Sequence, residues 1–271
     1  MKFIAVGDNC VDYYEKDGRL CAGGCSFNVS VYVSQLGGKS SYSGAVGDDE
    51  AGAFLKETLR RAGVDITHLH TLKGTTAVTK LELTGHERHF LEYDEGVLKD
   101  FRPDGADIAF IQSHDYLHTS VYGKVEALLP KLSGTVKICY DFANKLTLPD
   151  RNAILKLADF SFFSYERDDS YIRDYLEDAY RQGTSCAVAM LGSEGSLAFT
   201  GTEFIRKPGN QVEVVDTIGA GDSFIAGFLY AHAQGKDVKE CLDRGAARAE
   251  ETISYFGAIR LNEGKGEQVH V

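Results

Sequence analysis

From residue 107 onward short apolar runs alternate with helical patterns, at 108–111, 116–119, 125–132, 136–141, 154–157, 160–164, 171–180 and 186–191. Strand-length runs separated by stretches of helical period need crossover connections, which predicts a mostly parallel sheet with helices on both faces. Ligands of such a sheet collect beyond the carboxyl ends of its strands, so the residues that follow each run are the places to look for chemistry. The amino-terminal part fits the same scheme. Residues 2–6 read as a buried first strand whose carboxyl end delivers Asp8 and Asp12 to an edge. Residues 41–46 read as another strand, and 51–62 as a helix with Phe54, Leu55, Leu59 and Ala62 on one face and Gly63 as its stop.

A chain of 271 residues, 43% hydrophobic and 25% charged, can bury one large α/β core. No internal repeat, low-complexity tract or linker divides it, so one domain is expected, and Gly264-Lys265-Gly266 reads as a mobile tail. The formal charge of −11 argues against a nucleic-acid surface and leans toward cationic or metal-masked substrates. No apolar stretch approaches a membrane span, and residues 1–6 run into Gly7-Asp8 instead of a signal-cleavage site, so a cytoplasmic protein is expected. The six cysteines, at 10, 21, 25, 139, 186 and 241, contain no Cys-x-x-Cys pair and read as free buried thiols. The histidine pairs 68/70, 86/89 and 114/118 lack a third ligand at a familiar spacing, so no histidine metal site is expected.

The densest chemistry lies at Asp216-Thr217-Ile218-Gly219-Ala220-Gly221-Asp222. A strand-like run, 211–215, feeds into it, and a helix with Phe224, Phe228, Leu229 and Ala231 on one face leaves it. Gly219 and Gly221 let the backbone approach a ligand, and the first amides of the helix point there without internal partners, which makes an anion site. Asp222, at the helix start, is placed to be held ionised by the dipole and to take a proton from an attacking hydroxyl. On Gly-x-Gly and Asp alone a helix cap and a tight turn are the simpler account of the run.

A second glycine turn, Gly23-Gly24, leads into a helix over 29–36 that Gly37-Gly38 stops. Asn28 at its start is either an N-cap or a side chain offering donors and an acceptor to sugar hydroxyls. Lys39-Ser40 is not a phosphate-binding loop of the Gly-x4-Gly-Lys-Ser kind, because Val33 stands where the other glycine belongs. Between 75 and 93 the pattern alternates strictly around a Gly85 turn, which is a hairpin, either a sheet edge or a lid.

Asp-Thr-x-Gly-Ala-Gly-Asp at 216–222 resembles the second signature of the ribokinase-like PfkB carbohydrate kinases. Gly23-Gly24, Asn28, Ser30, Gly37 and Gly47 stand at the spacings of the first, with Ser26 where Gly, Ala or Pro is usual. The resemblance implies a three-layer αβα sandwich over residues 1–271, with lid strands near 11–22 and 75–95 and homodimerisation through the lid. It implies ATP-dependent phosphorylation of a sugar, with Asp222 as base and the amides of Gly219, Ala220 and Gly221 as an anion hole. Asp12, Gly24 and Asn28 are then sugar contacts, and Ser164, Gly192, Ser193, Gly195, Thr217, Gly219 and Gly221 face ATP. Asp141, opening Asp-Phe-Ala-Asn-Lys, either echoes a family loop that faces the phosphates or is an ordinary turn aspartate. At 164–167 the family's Asn-x-x-Glu is replaced by Ser-Tyr-Glu-Arg. Arg167 cannot coordinate Mg2+, so that role passes to Glu166, to Asp168 or to water, and a monovalent-cation requirement stays open.

Within the family the phrases at 7–12, 93–97 and 219–229 resemble the members that phosphorylate fructosamines. This implies transfer to the 6-hydroxyl of fructoselysine or a related fructosamine. Glu92, Tyr93 and Asp94, with Glu95, then become candidate contacts for a cationic amine, their alternative being a solvated acidic hairpin end. The competing readings are a kinase for fructose, ribose or a keto-deoxy acid, and a non-catalytic sugar- or nucleotide-binding regulator, which the retained Asp222 argues against.

Overall fold

The first strand, β1 (Lys2–Val6), shows how the layers arise. Phe3 and Ala5 enter one core and Ile4 and Val6 the other, because successive side chains of a strand leave opposite faces. Both faces are therefore apolar, and both are covered by helices. The computed structural model describes residues 1–16, 18–84 and 87–261. The Gly85 turn, His86 and the tail at 264–266 lie outside the described residues.

In chain order β1 is followed by β2 (Cys10–Tyr14), β3 (Arg19–Gly23), α1 (Cys25–Gln35), β4 (Lys39–Gly47), α2 (Glu50–Arg61) and β5 (Leu69–Leu72). Then come β6 (Val78–Thr84), β7 (Glu87–Asp94), α3 (Gly105–Gln112), β8 (Tyr116–Ser120), α4 (Leu129–Leu132), β9 (Lys137–Asp141), α5 (Arg151–Leu155) and β10 (Phe160–Ser164). The last part holds α6 (Ser170–Gln182), β11 (Cys186–Met190), β12 (Gly195–Phe199), β13 (Phe204–Pro208), α7 (Ala220–Ala233) and α8 (Val238–Thr252). Among the described residues one sheet runs β13-β12-β11-β10-β9-β8-β1-β4-β5, parallel except for the antiparallel pairings of β12 and β13. One core holds apolar residues of α1, α2, α7 and α8, the other those of α3 to α6. No helix among the described residues is long and apolar enough to cross a membrane.

The strand order reverses at β1, which has β4 on one side and β8 on the other. The crevice beyond β1 and β8 is thus the natural ligand position. A second sheet, β3-β2-β6-β7, stands over that crevice and packs through Tyr14 and Leu81 on Ile218 and Ala258.

Two expectations are corrected. Residues 211–215 form no strand: Val212 and Val215 are each 39% exposed, and the Val215 amide donates to the Ile253 carbonyl at the end of α8. The alternation is right for a strand, but β13 is the sheet edge before this crossing segment and no neighbour pairs with it. Helix α1 starts at Cys25, four residues early, so Asn28 is not its N-cap. Gly24, the residue at the cap, has no side chain to offer, and the capping acceptor comes from elsewhere in the chain.

Candidate active site

That acceptor is Asp8, delivered by the carboxyl end of β1. Its buried carboxylate accepts the amides of Cys25 and Ser26 and the hydroxyls of Ser26 (2.8 Å) and Ser120 (2.9 Å). One side chain therefore joins β1, the end of β8 and the start of α1. The turn before α1 demands glycine at Gly24, which takes φ 104° and where a Cβ would fall 2.5 Å from the Asn9 Cα, while a Cβ on Gly23 would have to displace the Asp12 carboxylate 2.2 Å away.

The glycine loop closes the opposite wall. Gly219 takes φ 75° and occupies the cap position of α7, where no side chain caps the helix. The Ala220 amide turns back to the Thr217 carbonyl at 3.3 Å, while Gly221 lies in the first turn, whose amides have no acceptor inside the helix. Asp216 anchors the loop from below, fully buried and accepting Tyr14 Oη, the Ile218 amide and the Gly257 amide, each at 3.0 Å. The loop, the second sheet and the residues after α8 are thereby held as one piece.

Between these walls lies a cavity of about 500 Å³ lined by Asp8, Asn9, Cys10, Asp12, Gly24, Cys25, Asn28 and Thr79 on one side and Ile218, Gly219 and Asp222 on the other, with residues 90–93 and Tyr122 at its mouth. Asn28 Nδ2 donates to Asp222 Oδ2 at 2.8 Å across 194 residues of sequence. Asp141, at the end of β9, has its Oδ1 on the Ala143 amide at 2.8 Å, so it does make a turn. It also meets Asp222 and Cys25, with one ligand atom from each within 4.8 Å of the others.

Burial decides the electrostatics here. It pushes Asp222 up to about 7, with Asp141 and Asp8 adding like charge and Asn28 opposing. It likewise pushes Asp141 up to about 7, against the Ala143 amide and with help from Asp8. The dipole of α7 does not hold Asp222 low, contrary to the sequence expectation, because removal from water outweighs it. A base near 7 is nonetheless well matched to neutral operation. Cys25 is driven far above its ordinary range by burial and by Asp222, so it is an inert thiol.

The profile of the pfkB family carbohydrate kinases matches residues 1–138 and 157–264. The chain belongs to that family. The fructoselysine 6-kinase of Escherichia coli is 38% identical over 260 residues, covering 95% of this chain and 100% of its own. The fructosamine kinase FrlD of Bacillus subtilis is 34% identical over 276 residues, covering 97% of each chain. A ribokinase of Arabidopsis thaliana, solved with ribose and ATP, superposes with a TM-score of 0.84 at 20% identity, over 95% of this chain and 94% of its own. The ribokinase-like fold read from the sequence is thus shown, and the chain is an ATP-dependent carbohydrate kinase.

Of the residues expected to touch sugar in this kinase, Asp12, Gly24, Asn28, Glu92 and Tyr93 line the cavity with Asp222. Asp94 is not among the lining residues, and its carboxylate caps the Gly96 amide at 2.9 Å. The other charges at the end of this hairpin are also engaged, Glu92 by Lys80 at 2.7 Å and Glu95 by Lys124. The residues expected to face ATP sit at the neighbouring strand ends: Ser164 closes β10, and Gly192, Ser193 and Gly195 make the turn between β11 and β12. A Cβ on Gly221 falls 3.4 Å from Met190 Cε, which puts the glycine loop beside that turn. Thr217 is exposed at the head of the loop.

The metal expectation fares differently. Glu166 points outward, its side chain 85% exposed with Arg167 at 3.6 Å, and Asp168 is held by Arg173 at 2.7 Å and Arg206 at 3.3 Å. Neither converges on Asp222. Asp141 does, and among the described residues no Lys or Arg pairs with Asp8, Asp141 or Asp222. The Asn28 Oδ1, buried beside them, has no hydrogen-bond partner. Buried carboxylate oxygens without an internal counter-charge fit a hard divalent cation. Sequence reasoning missed Cys25, Thr79, Tyr122 and the clustering of Asp141. Only Asp141, a carboxylate closing a strand, carried a readable signal.

Proposed function

We propose that this kinase transfers the terminal phosphoryl group of ATP to the 6-hydroxyl of a fructosamine, fructoselysine or a close relative. The charge of the cavity carries the reading: Asp8, Asp12 and Asp222 line it, with Glu92 paired to Lys80 at its mouth, and no Lys or Arg is among the lining residues. Such a wall repels a sugar that carries phosphate and attracts one that carries a protonated amine on carbon 1, while the carboxylate of a lysine substituent stays outside the cavity. The two fructosamine-directed relatives support the same substrate class.

In this reading Asn28 fixes the Asp222 carboxylate, which takes the proton of the 6-hydroxyl as its oxygen bonds to phosphorus and the bond to ADP breaks. The amides of Gly219, Ala220 and Gly221 receive the charge of the transferring group, each worth roughly 3 kcal/mol by analogy with other anion holes. Asp12 and Gly24 position the sugar. Ser164, Gly192, Ser193, Gly195 and Thr217 face the nucleotide. Mg2+ would be held through Asp141 and would supply neutralisation of phosphate charge. The whole chain acts as one domain, with the β3-β2-β6-β7 sheet as its lid. Two copies pair through that lid, whose outer strands β3 and β7 have unpaired edges among the described residues.

The test is ATP consumption against fructose, ribose, a keto-deoxy acid and fructoselysine, with the phosphorylated carbon located by NMR. Fructoselysine is expected to lead in kcat/KM by about tenfold or more, roughly 1.4 kcal/mol of transition-state preference. A preference for free fructose ends the fructosamine assignment, and binding without ATP turnover on any sugar favours the regulator.

A further inference from the structure

Large apolar side chains that stay exposed collect at the mouth of the cavity. Phe90 is 68% exposed, Leu91 49% and Tyr93 47%, all on β7, and Tyr122 on the loop after β8 faces them at 40%. The inner lining is rich in carboxylates and amides that suit sugar hydroxyls, whereas the rim offers chiefly apolar and aromatic surface. An exposed apolar cluster rimming a polar site marks a surface that something covers.

The backbone is built to place it there. Lys80 faces Glu92 but Leu81 faces Phe90, so Leu91 is an extra residue in the β6–β7 ladder. Such a bulge breaks the strict in-and-out alternation, which lets the consecutive residues 90–93 all reach the opening. The charges around it are spent on Lys80, the Gly96 amide and Lys124, as described above. Whatever leaves the cavity therefore meets apolar surface, not free carboxylates.

We infer that Phe90, Leu91, Tyr93 and Tyr122 form a subsite for the organic substituent on the amine of the substrate. This rests on the fructosamine reading. With the 6-hydroxyl at Asp222, carbon 1 and its amine lie at the far end of the sugar, toward the mouth, and the substituent must pass between β7 and Tyr122. The rim takes up a methylene stem or an aromatic ring and leaves a polar head in water. The preferred class is fructosamines with long aliphatic or aromatic substituents, over those with a short substituent or none.

The experiment compares kcat/KM for fructose, 1-amino-1-deoxyfructose, fructosylglycine and fructoselysine, in the wild type and in a Phe90→Ser, Leu91→Ser variant. The wild type is expected to favour fructoselysine over 1-amino-1-deoxyfructose by about tenfold or more, the scale of a methylene or two in an apolar site. In the variant that ratio falls toward one. Tyr122→Ser, on the other wall, is expected to lower it too, and serves if the double variant does not fold. Equal use of both amines by the wild type, each still ahead of fructose, overturns the subsite and leaves the fructosamine assignment standing. A wild-type preference for fructose overturns both. An unchanged ratio in the variants also overturns the subsite, as does a proportional loss on every substrate accompanied by dimer dissociation in sedimentation, which assigns the rim to a second copy.

Discussion

Asp107 and Asp222 occupy the same position, the third residue of a helix, and both are buried, at 1% and 8% exposure. The chain treats them oppositely. Burial acts to raise Asp107, but His68 at 2.7 Å, the Asp104 amide at 2.9 Å and His70 at 3.0 Å outweigh it and hold the group below the usual carboxylate range. Asp104 caps α3 and completes a capping box with Asp107. Gly219, at the cap of α7, has no side chain to contribute, and Asp222 receives Asn28 while facing Asp141 and Asp8. A helix start alone does not set a carboxylate's state. Its partners do. Asp107 is satisfied by the protein, whereas Asp222 has no positive charge beside it and faces like charges, as the base of the proposed transfer would.

The sharpest way to break this contrast is to remove each carboxylate in turn. Asp222→Asn is expected to fold, to bind sugar and to lose about two orders of magnitude or more in kcat, as for loss of a positioned base. Near-normal turnover of the folded variant would exclude that role. Asp107→Ala should do the reverse, lowering stability by about 1–3 kcal/mol through the lost charge-assisted hydrogen bonds while kcat/KM per folded molecule stays at the wild-type value. Urea unfolding and steady-state kinetics on one preparation measure both, and a catalytic defect without a stability loss contradicts the division.

The smallest effect is the most diagnostic of the Asp141–Asp222 pair. Both are raised from 3.8 to about 7, so between these values the folded state holds protons that the unfolded state releases. The stability they contribute is fully present below about 4 and is lost as pH rises through about 7. Asp141→Asn removes one such group and a like charge beside the other. Thermal unfolding with a chelator present should then fall less between pH 6 and pH 8 than in the wild type, and identical pH slopes would show that Asp141 does not titrate in this range.

Much of the site was legible because its signals are local. The glycines and Asp222 lie within a few residues of each other, and a helix following a glycine turn presents amides whatever the rest of the chain does. Asn28 and Asp12 were readable as candidates from their turns. The grouping of Asp141 with Asp222 was not, because nothing near either residue in the sequence signals the other. Asp141 is the residue that converges, by the parallel registration of β9 with β8 and β10.

By itself the sequence determined the alternation of strands and helices, hence a parallel sheet with two apolar faces, and the glycine turn that opens the helix at Ala220. These follow from side-chain period and glycine backbone freedom, which act over a few residues. Only the tertiary structure decided that Asp8 starts α1 at Cys25, that Asn28 holds Asp222, that Asp141 stands beside it, and that residues 211–215 are no strand. Hydrogen-bond partners and solvent exposure depend on which distant segments meet. Burial among like charges then set the protonation of Asp222, a quantity that belongs to the assembled cavity and to no stretch of the chain.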